Sequence, residues 1–273
     1  VLTGFSIERS FLVAQRIAAR EWRLLVPVML AFMVLPPVAS DLLLPASVRL
    51  ELAAAMQTGN PAPVMAAAAW LLPLSAVLFL SGMLGGLAIT ALAVIPNLSV
   101  REAIELGIRR LPVLVGVQAL MAVGVIGGAF LITFLLVIAR LPIAAVQSLL
   151  LGIMIGFVVV AVVRLSVLNP LIATRRLSPV GALRESWSLT RGLFWRLFAT
   201  LAIYVLAGSV VVIALVSAVG TVLILIGTAT GAVELMTALN ALFSRLLAGT
   251  IVLGLHLIGA AFFVQLRESS RGI

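Results

Sequence analysis

Residues 178–196 read Ser178-Pro-Val-Gly-Ala-Leu-Arg-Glu-Ser-Trp-Ser-Leu-Thr-Arg-Gly-Leu-Phe-Trp-Arg196, and thirty residues without a charged side chain follow, from Leu197 to Ile226. The first stretch is the most polar in the chain. The second is too long and too uniformly apolar to be a half-buried strand, and it shows no alternation, so it reads as a helix long enough to cross a bilayer. Within the first stretch, Ser178 suits an N-cap and Pro179 the first helical position. Val180, Leu183 and Trp187 form an apolar stripe at helical spacing. Arg184, Ser188 and Arg191 form a polar one. Gly192 is placed to end the helix in a left-handed conformation. The stretch therefore reads as a short amphipathic helix on a membrane surface, between two spans.

Composition extends this reading to the whole chain. Of 273 residues, 63% are hydrophobic and 10% charged, and mean hydropathy is +1.31. A soluble domain carries about 25% charged residues, so this chain cannot cover its surface with polar groups. Backbone in lipid must be satisfied inside a helix or a closed barrel, and runs that do not alternate choose the helix. The expectation is an all-α, polytopic membrane protein: one integral membrane domain over 1–273, with six transmembrane helices and three cytoplasmic interfacial amphipathic helices.

The expected spans are Leu24–Ala39, Pro63–Ile95, Pro112–Ala139, Leu141–Val163, Leu193–Ile226 and Leu246–Leu266. Pro36-Pro37 is expected to end the first, because proline removes a helix donor and clashes with the preceding turn. A short helix is expected over Ser47–Met56 and a turn at Gly59-Asn60-Pro61. The first surface helix covers 6–22, with Arg9, Arg16, Arg20 and Arg23 at spacings of seven, four and three. This Arg-rich front part is long for the head of a signal peptide and has helical periodicity, so it reads as leading into a retained span. The second surface helix covers 99–110. There, Ser99 and Glu102 match a capping box, and Arg101–Glu105 and Glu105–Arg109 are spaced to pair.

The net charge is +9, every one of the 18 basic residues is Arg, and cysteine is absent. Disulfides, thiolate metal sites and a cysteine nucleophile are excluded. The Arg residues are dispersed over several loops, which points to anionic headgroups as partner rather than nucleic acid. With both termini in the cytoplasm, fourteen Arg fall inside, three (Arg49, Arg140, Arg245) outside, and Arg164 near the inner edge of a span. The positive-inside rule thus sets the orientation. The expected location is a membrane crossed several times, with phospholipids and other membrane-protein subunits as partners.

The unit of surface helix, span, span recurs over about 1–96, 97–176 and 177–273. Ser99-Val-Arg-Glu-Ala-Ile104 aligns with Ser178-Pro-Val-Gly-Ala-Leu183, and Trp22-Arg-Leu-Leu25 with Trp195-Arg-Leu-Phe198. A threefold repeat of layout is the expectation.

Chemistry-bearing residues are few. His256 is the one histidine and falls inside a span. It is a candidate for ligating a haem-like group or relaying a proton with Glu234, against the plainer role of a neutral hydrogen-bonding residue between helices. Gln118 is a second intramembrane polar residue, expected to bond across helices. The carboxylates mostly flank Arg on surface helices, and no phosphate-binding glycine loop or nucleophile motif occurs. No catalytic residue, metal or cofactor is assigned. The best binding candidate is a collar of Arg109, Arg110, Arg175, Arg176, Arg184, Arg191 and Arg196, with Ser188, facing lipid phosphates or a partner.

Ala182, Leu183, Arg184, Ser186, Leu189, Thr190, Arg191, Gly192 and Trp195, with the preceding Leu168-Asn-Pro-Leu171, carry one family clue. This stretch resembles the signature of the glycerophosphoryl diester phosphodiesterase membrane-domain family, the six-span bacterial proteins related to the YciC type. The resemblance implies six spans and an inner-membrane location. It brings no activity with it, since the catalytic barrel to which some members are fused has no counterpart in this sequence. From all this the expected function is that of a non-enzymatic accessory or assembly subunit of a membrane complex or envelope-lipid process. The alternative is a transporter or flippase-like protein.

Overall fold

The computed structural model describes residues 6–58, 62–138, 140 and 142–270. The expected turn at Gly59–Pro61, the residues Ala139 and Leu141 at the third-to-fourth span connection, and Arg271 lie outside the described residues. Among those described, all regular structure is helical. The elements are α1 (Ile7–Met29), a π-helical turn (Leu30–Val34), α2 (Leu35–Leu43), α3 (Ala46–Thr58), α4 (Ala62–Ala66), α5 (Ala68–Val94) and α6 (Val100–Ile138). They continue as α7 (Ile143–Leu165), α8 (Leu168–Thr174), α9 (Pro179–Leu189), α10 (Phe194–Thr230) and α11 (Val233–Ser270). Six runs are long and apolar enough to cross a membrane: Ile7–Asp41, Ala68–Val94, Val100–Leu136, Ala145–Thr174, Phe194–Thr230 and Val233–Glu268.

Two of the three expected surface helices have no boundary of their own. Residues 6–22 run straight into the first span, and residues 99–110 into the third, because nothing between them breaks a helix. Pro112 lies inside α6 and does not interrupt it. The Ile7–Asp41 run has 35 residues, which at 1.5 Å per residue is about 52 Å, well beyond the ~30 Å of a hydrocarbon core. The capping box at the start of α6 is present: the Ser99 N–H donates to Glu102 at 2.9 Å, and the Glu102 N–H to Ser99 Oγ at 3.3 Å. Glu105 pairs with Arg101 at 2.9 Å, leaving Arg109 aside.

Pro36-Pro37 does not end the first span either. The helix absorbs the two missing donors by widening into the π turn, where the Leu35 N–H reaches back to Leu30 O. The carbonyl of Phe32, which Pro36 cannot serve, accepts a hydrogen bond from Ser81 Oγ of α5 at 3.0 Å. A neighbouring helix thus satisfies the group the proline orphaned, the usual remedy where no water is at hand.

The core gathers at one end of the bundle. It joins Leu25 and Val28 of α1, Ile89 and Leu92 of α5, Leu171 of α8, Leu197 of α10, and Ile258 and Phe262 of α11. This is also the end that collects the start of α1, the α5–α6 turn, α9 and the end of α11, so we call it the basic end. There Gln265 Nε2 donates to Ser10 Oγ at 3.0 Å and Arg9 pairs with Glu268 at 2.7 Å, tying α1 to α11. Away from it the helices present apolar side chains outward, as with Phe130 on α6 (75% exposed) and Val210 on α10 (68%). At the far end one bidentate pair, Arg245 with Asp41, joins α11 to α2.

Candidate functional site: helix α9 and the basic end

Helix α9 is the one expected surface helix that stands as a separate element. Its boundaries follow from local chemistry. Ser178 Oγ accepts the Gly181 N–H at 3.2 Å, and Pro179 opens the helix where no donor is needed. Gly192, at φ 81°, turns the chain left-handed into α10. Only glycine adopts this without strain.

The side of α9 that packs is not the apolar stripe. Val180 is 62% exposed and Trp187 47%, whereas Ala182, Ser186 and Thr190 are wholly buried. Small residues at successive turns let the α9 backbone come close to its neighbours, Leu183 and Leu189 pack beside them in part, and Val180 and Trp187 are left outside. Pro179 rests against Gly116 of α6, where an added methyl carbon would lie 2.7 Å from the proline ring. Ser186 Oγ donates to the Arg164 carbonyl at 2.7 Å, and Thr190 Oγ1 donates to Ser186 O at 3.0 Å. The seam is therefore both tight and hydrogen-bonded.

Arg164, in the last turn of α7, is the basic residue that the collar missed. Its guanidinium carbon lies 5.0 Å from the Trp187 ring centre and 5.7 Å from that of Phe194. Its Nη1 donates to Thr190 Oγ1 at 3.4 Å, a long bond. Its Nε is buried without a partner. Aromatic faces and the negative end of the α7 dipole stabilise the charge in place of a carboxylate. The signal in sequence was an Arg near the end of an apolar run, with two aromatics on the short polar stretch that follows.

The predicted collar is only partly assembled. Arg184, Ser188 and Arg191 do come together, with Val180, Leu183 and Trp187, around a groove of about 410 Å³ on the outer face of α9. Ser188 Oγ, however, donates to Glu185 O at 2.8 Å, so its hydroxyl proton serves its own helix. Arg175 pairs with Glu185 and spends its charge inside the fold. Arg196 is exposed at the start of α10, and Arg109, Arg110 and Arg176 lie outside the groove lining. Among the described residues, Arg184 and Arg191 have no ion pair or hydrogen bond from their side chains. The groove lining contains no carboxylate.

His256 joins α11 to two other helices. Its Nδ1 lies 3.3 Å from Asn169 Nδ2 of α8, which fits the amide donating to an unprotonated ring nitrogen. The ring packs on Gly86 of α5: a methyl carbon added there would lie 2.7 Å from His256 Cε1. Glu234 is at the other end of α11, lining a separate cleft of about 480 Å³ with Asp41 and Arg245, so the candidate His256–Glu234 relay has no geometry. Among the described residues, no three His, Asp or Glu side chains gather as a metal site would need. Among the described residues, Gln118 has no hydrogen bond to another helix. It is exposed on the wall of an apolar groove of about 610 Å³ between α6 and α7, beside Met121 and Phe157.

No family model, no curated protein and no solved structure matches this chain.

Proposed function

We propose that this protein is a non-enzymatic accessory subunit of a membrane assembly or envelope-lipid process, seated in a bacterial inner membrane with both termini cytoplasmic, and that α9 is its contact element. One observation carries the reading. Helix α9 is held by a buried seam of small residues, Ala182, Ser186 and Thr190, and turns Val180, Arg184, Trp187 and Arg191 outward. A helix built only for packing would bury its tryptophan and its valine. One that keeps them exposed beside unpaired guanidiniums suits a membrane interface or a docked partner.

The basic end, in this reading, is the cytoplasmic end, and the fourteen-to-three distribution of Arg supports that orientation. The front of α1 and the first turns of α6 act there as interfacial extensions of their spans. A threefold layout is supported by the meeting of Gly86, Asn169 and His256, one residue from each proposed unit. The resemblance of residues 182–195 to the six-span membrane-domain family is carried as part of the same proposal. The transporter alternative has less support, because the core that closes the basic end is apolar and packed.

Site-specific photocrosslinking in native membranes tests the reading. A photoreactive residue in place of Val180 should give a discrete protein adduct that the same probe in place of Phe130, an exposed lipid-side position, does not give. Identical adduct patterns from both positions would sink the accessory role.

A further inference from the structure

The groove on α9 is lined by two kinds of side chain. Val180, Leu183 and Trp187 supply its apolar wall, and Arg184 and Arg191 supply its positive charge, with Trp187 between the two Arg residues in the chain. Arg184 lies on α9 and Arg191 in the turn that follows it, and both line this one groove. Among the described residues they have no counter-ion, and the nearest acid along the helix, Glu185, is already held by Arg175. The indole N–H of Trp187 likewise has no partner among the described residues. The Trp187 ring is fixed from behind by Arg164, so a third positive charge stands on its far face. An apolar slot that carries unpaired guanidiniums matches an amphiphile with an anionic head.

We infer that this groove holds one anionic phospholipid, its phosphate between Arg184 and Arg191 and the start of an acyl chain along Leu183 and Trp187, with Val180 left at the rim for a protein partner. The inference rests on the placement of α9 at the membrane surface and deepens that reading by naming what the site takes. Arg164 is a positioning residue here: it orients Trp187 and does not itself touch the phosphate.

The test uses the full chain in nanodiscs of phosphatidylcholine doped with phosphatidylglycerol, followed by native mass spectrometry of the lipid retained. Wild type should keep phosphatidylglycerol in preference to phosphatidylcholine. The pair Arg184→Ala with Arg191→Ala should lower that retention about tenfold, as expected for losing two solvent-exposed ion pairs. The charge-matched pair Arg109→Ala with Arg176→Ala should change it by less than about twofold, since exposed charges outside a groove act only through the screened surface field. The pair Arg184→Lys with Arg191→Lys should retain the lipid in part, because lysine keeps the charge and loses the bidentate geometry. Equal loss from both alanine pairs would overturn the inference in favour of nonspecific attraction. Displacement of the lipid by millimolar inorganic phosphate would overturn it in favour of a free anion. Loss of lipid selectivity with the Val180 photoadduct intact would reject the lipid site and leave the accessory role standing; the converse would reject the role and keep the site.

Discussion

The α10–α11 hairpin and the α6–α7 pair are made of the same kind of sequence and are used in opposite ways. Both are long, apolar and glycine-bearing. In α10–α11 the glycines are sockets. Gly208 receives Ile251, with an added methyl carbon 2.6 Å from its side chain, and Gly220 receives Asn240 at 3.0 Å. Gly254 receives the Tyr204 hydroxyl, which donates to Ile251 O at 3.1 Å. In α6–α7, Gly124, Gly127, Gly128, Gly152 and Gly156 have nothing within 4 Å of where a side chain would begin. The lesson is about the solvent. In lipid, apolar burial does not drive helices together, so a small residue stabilises only where another helix comes close enough to use it.

That comparison can be broken by substitution. The largest effect should come from Gly254→Ala, whose methyl group would occupy the place of the Tyr204 hydroxyl. Tyr204 would have to swing away and give up its bond to Ile251 O. A loss of about 2–3 kcal/mol is expected from overpacking, read by unfolding in mixed micelles, and Tyr204→Phe in the same background should recover part of it. Stability unchanged in Gly254→Ala would mean that the hairpin is looser than described.

Gly86→Ala comes next, at about 1–3 kcal/mol, because its methyl group would press on both His256 and the Asn169 amide, 2.7 and 3.2 Å away. Its effect should shrink in a His256→Ala background, and a double-mutant cycle measures the coupling. Additive losses would argue against a shared contact.

Gly192→Ala should cost about 1–2 kcal/mol, the penalty of a side chain in the left-handed region. Its distinctive consequence should be local. A Ser186→Cys thiol, buried in the parent, should gain reactivity toward a membrane-impermeant thiol reagent in the Gly192→Ala background, as α9 lifts from its seam. The smallest effect belongs to the α6–α7 pair: Gly152→Ala with Gly156→Ala should change stability by no more than about 0.5 kcal/mol. A large loss there in native membranes, but not in micelles, would show that some other helix occupies the α7 face.

Much of this architecture was legible in the residues. Uninterrupted apolar runs located the six long helices, since length and hydropathy are local properties. The start of α9 at Ser178-Pro179, the left-handed turn at Gly192 just past its end and the capping box at Ser99 were equally readable, because caps and turns are satisfied by atoms a few residues away. The buried side of α9 was not. Trp187 and Val180 look like the packing face to any rule learned from soluble proteins, where water drives large apolar groups inward. With the long helices read as membrane spans the outer surroundings are themselves apolar, and the seam goes to the residues that allow the closest approach, Ala182, Ser186 and Thr190. The fate of Pro36-Pro37 was hidden for a related reason: whether two prolines end a helix depends on whether a neighbour such as Ser81 can serve the abandoned carbonyl.

The candidate site divides along the same line. Arg184 and Arg191, seven residues apart on one stretch, were identifiable as a stripe from spacing alone. Arg164 was not tied to that stripe by sequence, since it belongs to the preceding span, well upstream of Trp187, and only folding lays its guanidinium on that ring. The reduction of the collar to one groove also needed the fold, because Arg175 and Glu185 cancel across a turn. The sequence by itself determined the all-helical, strongly apolar character of this protein, the number of its long helices and the stretches where its charge collects, all of which follow from composition summed along the chain. Tertiary structure alone decided which glycines are sockets, which face of α9 is hidden and which guanidiniums remain unpaired, because each depends on what another helix brings within a few ångströms.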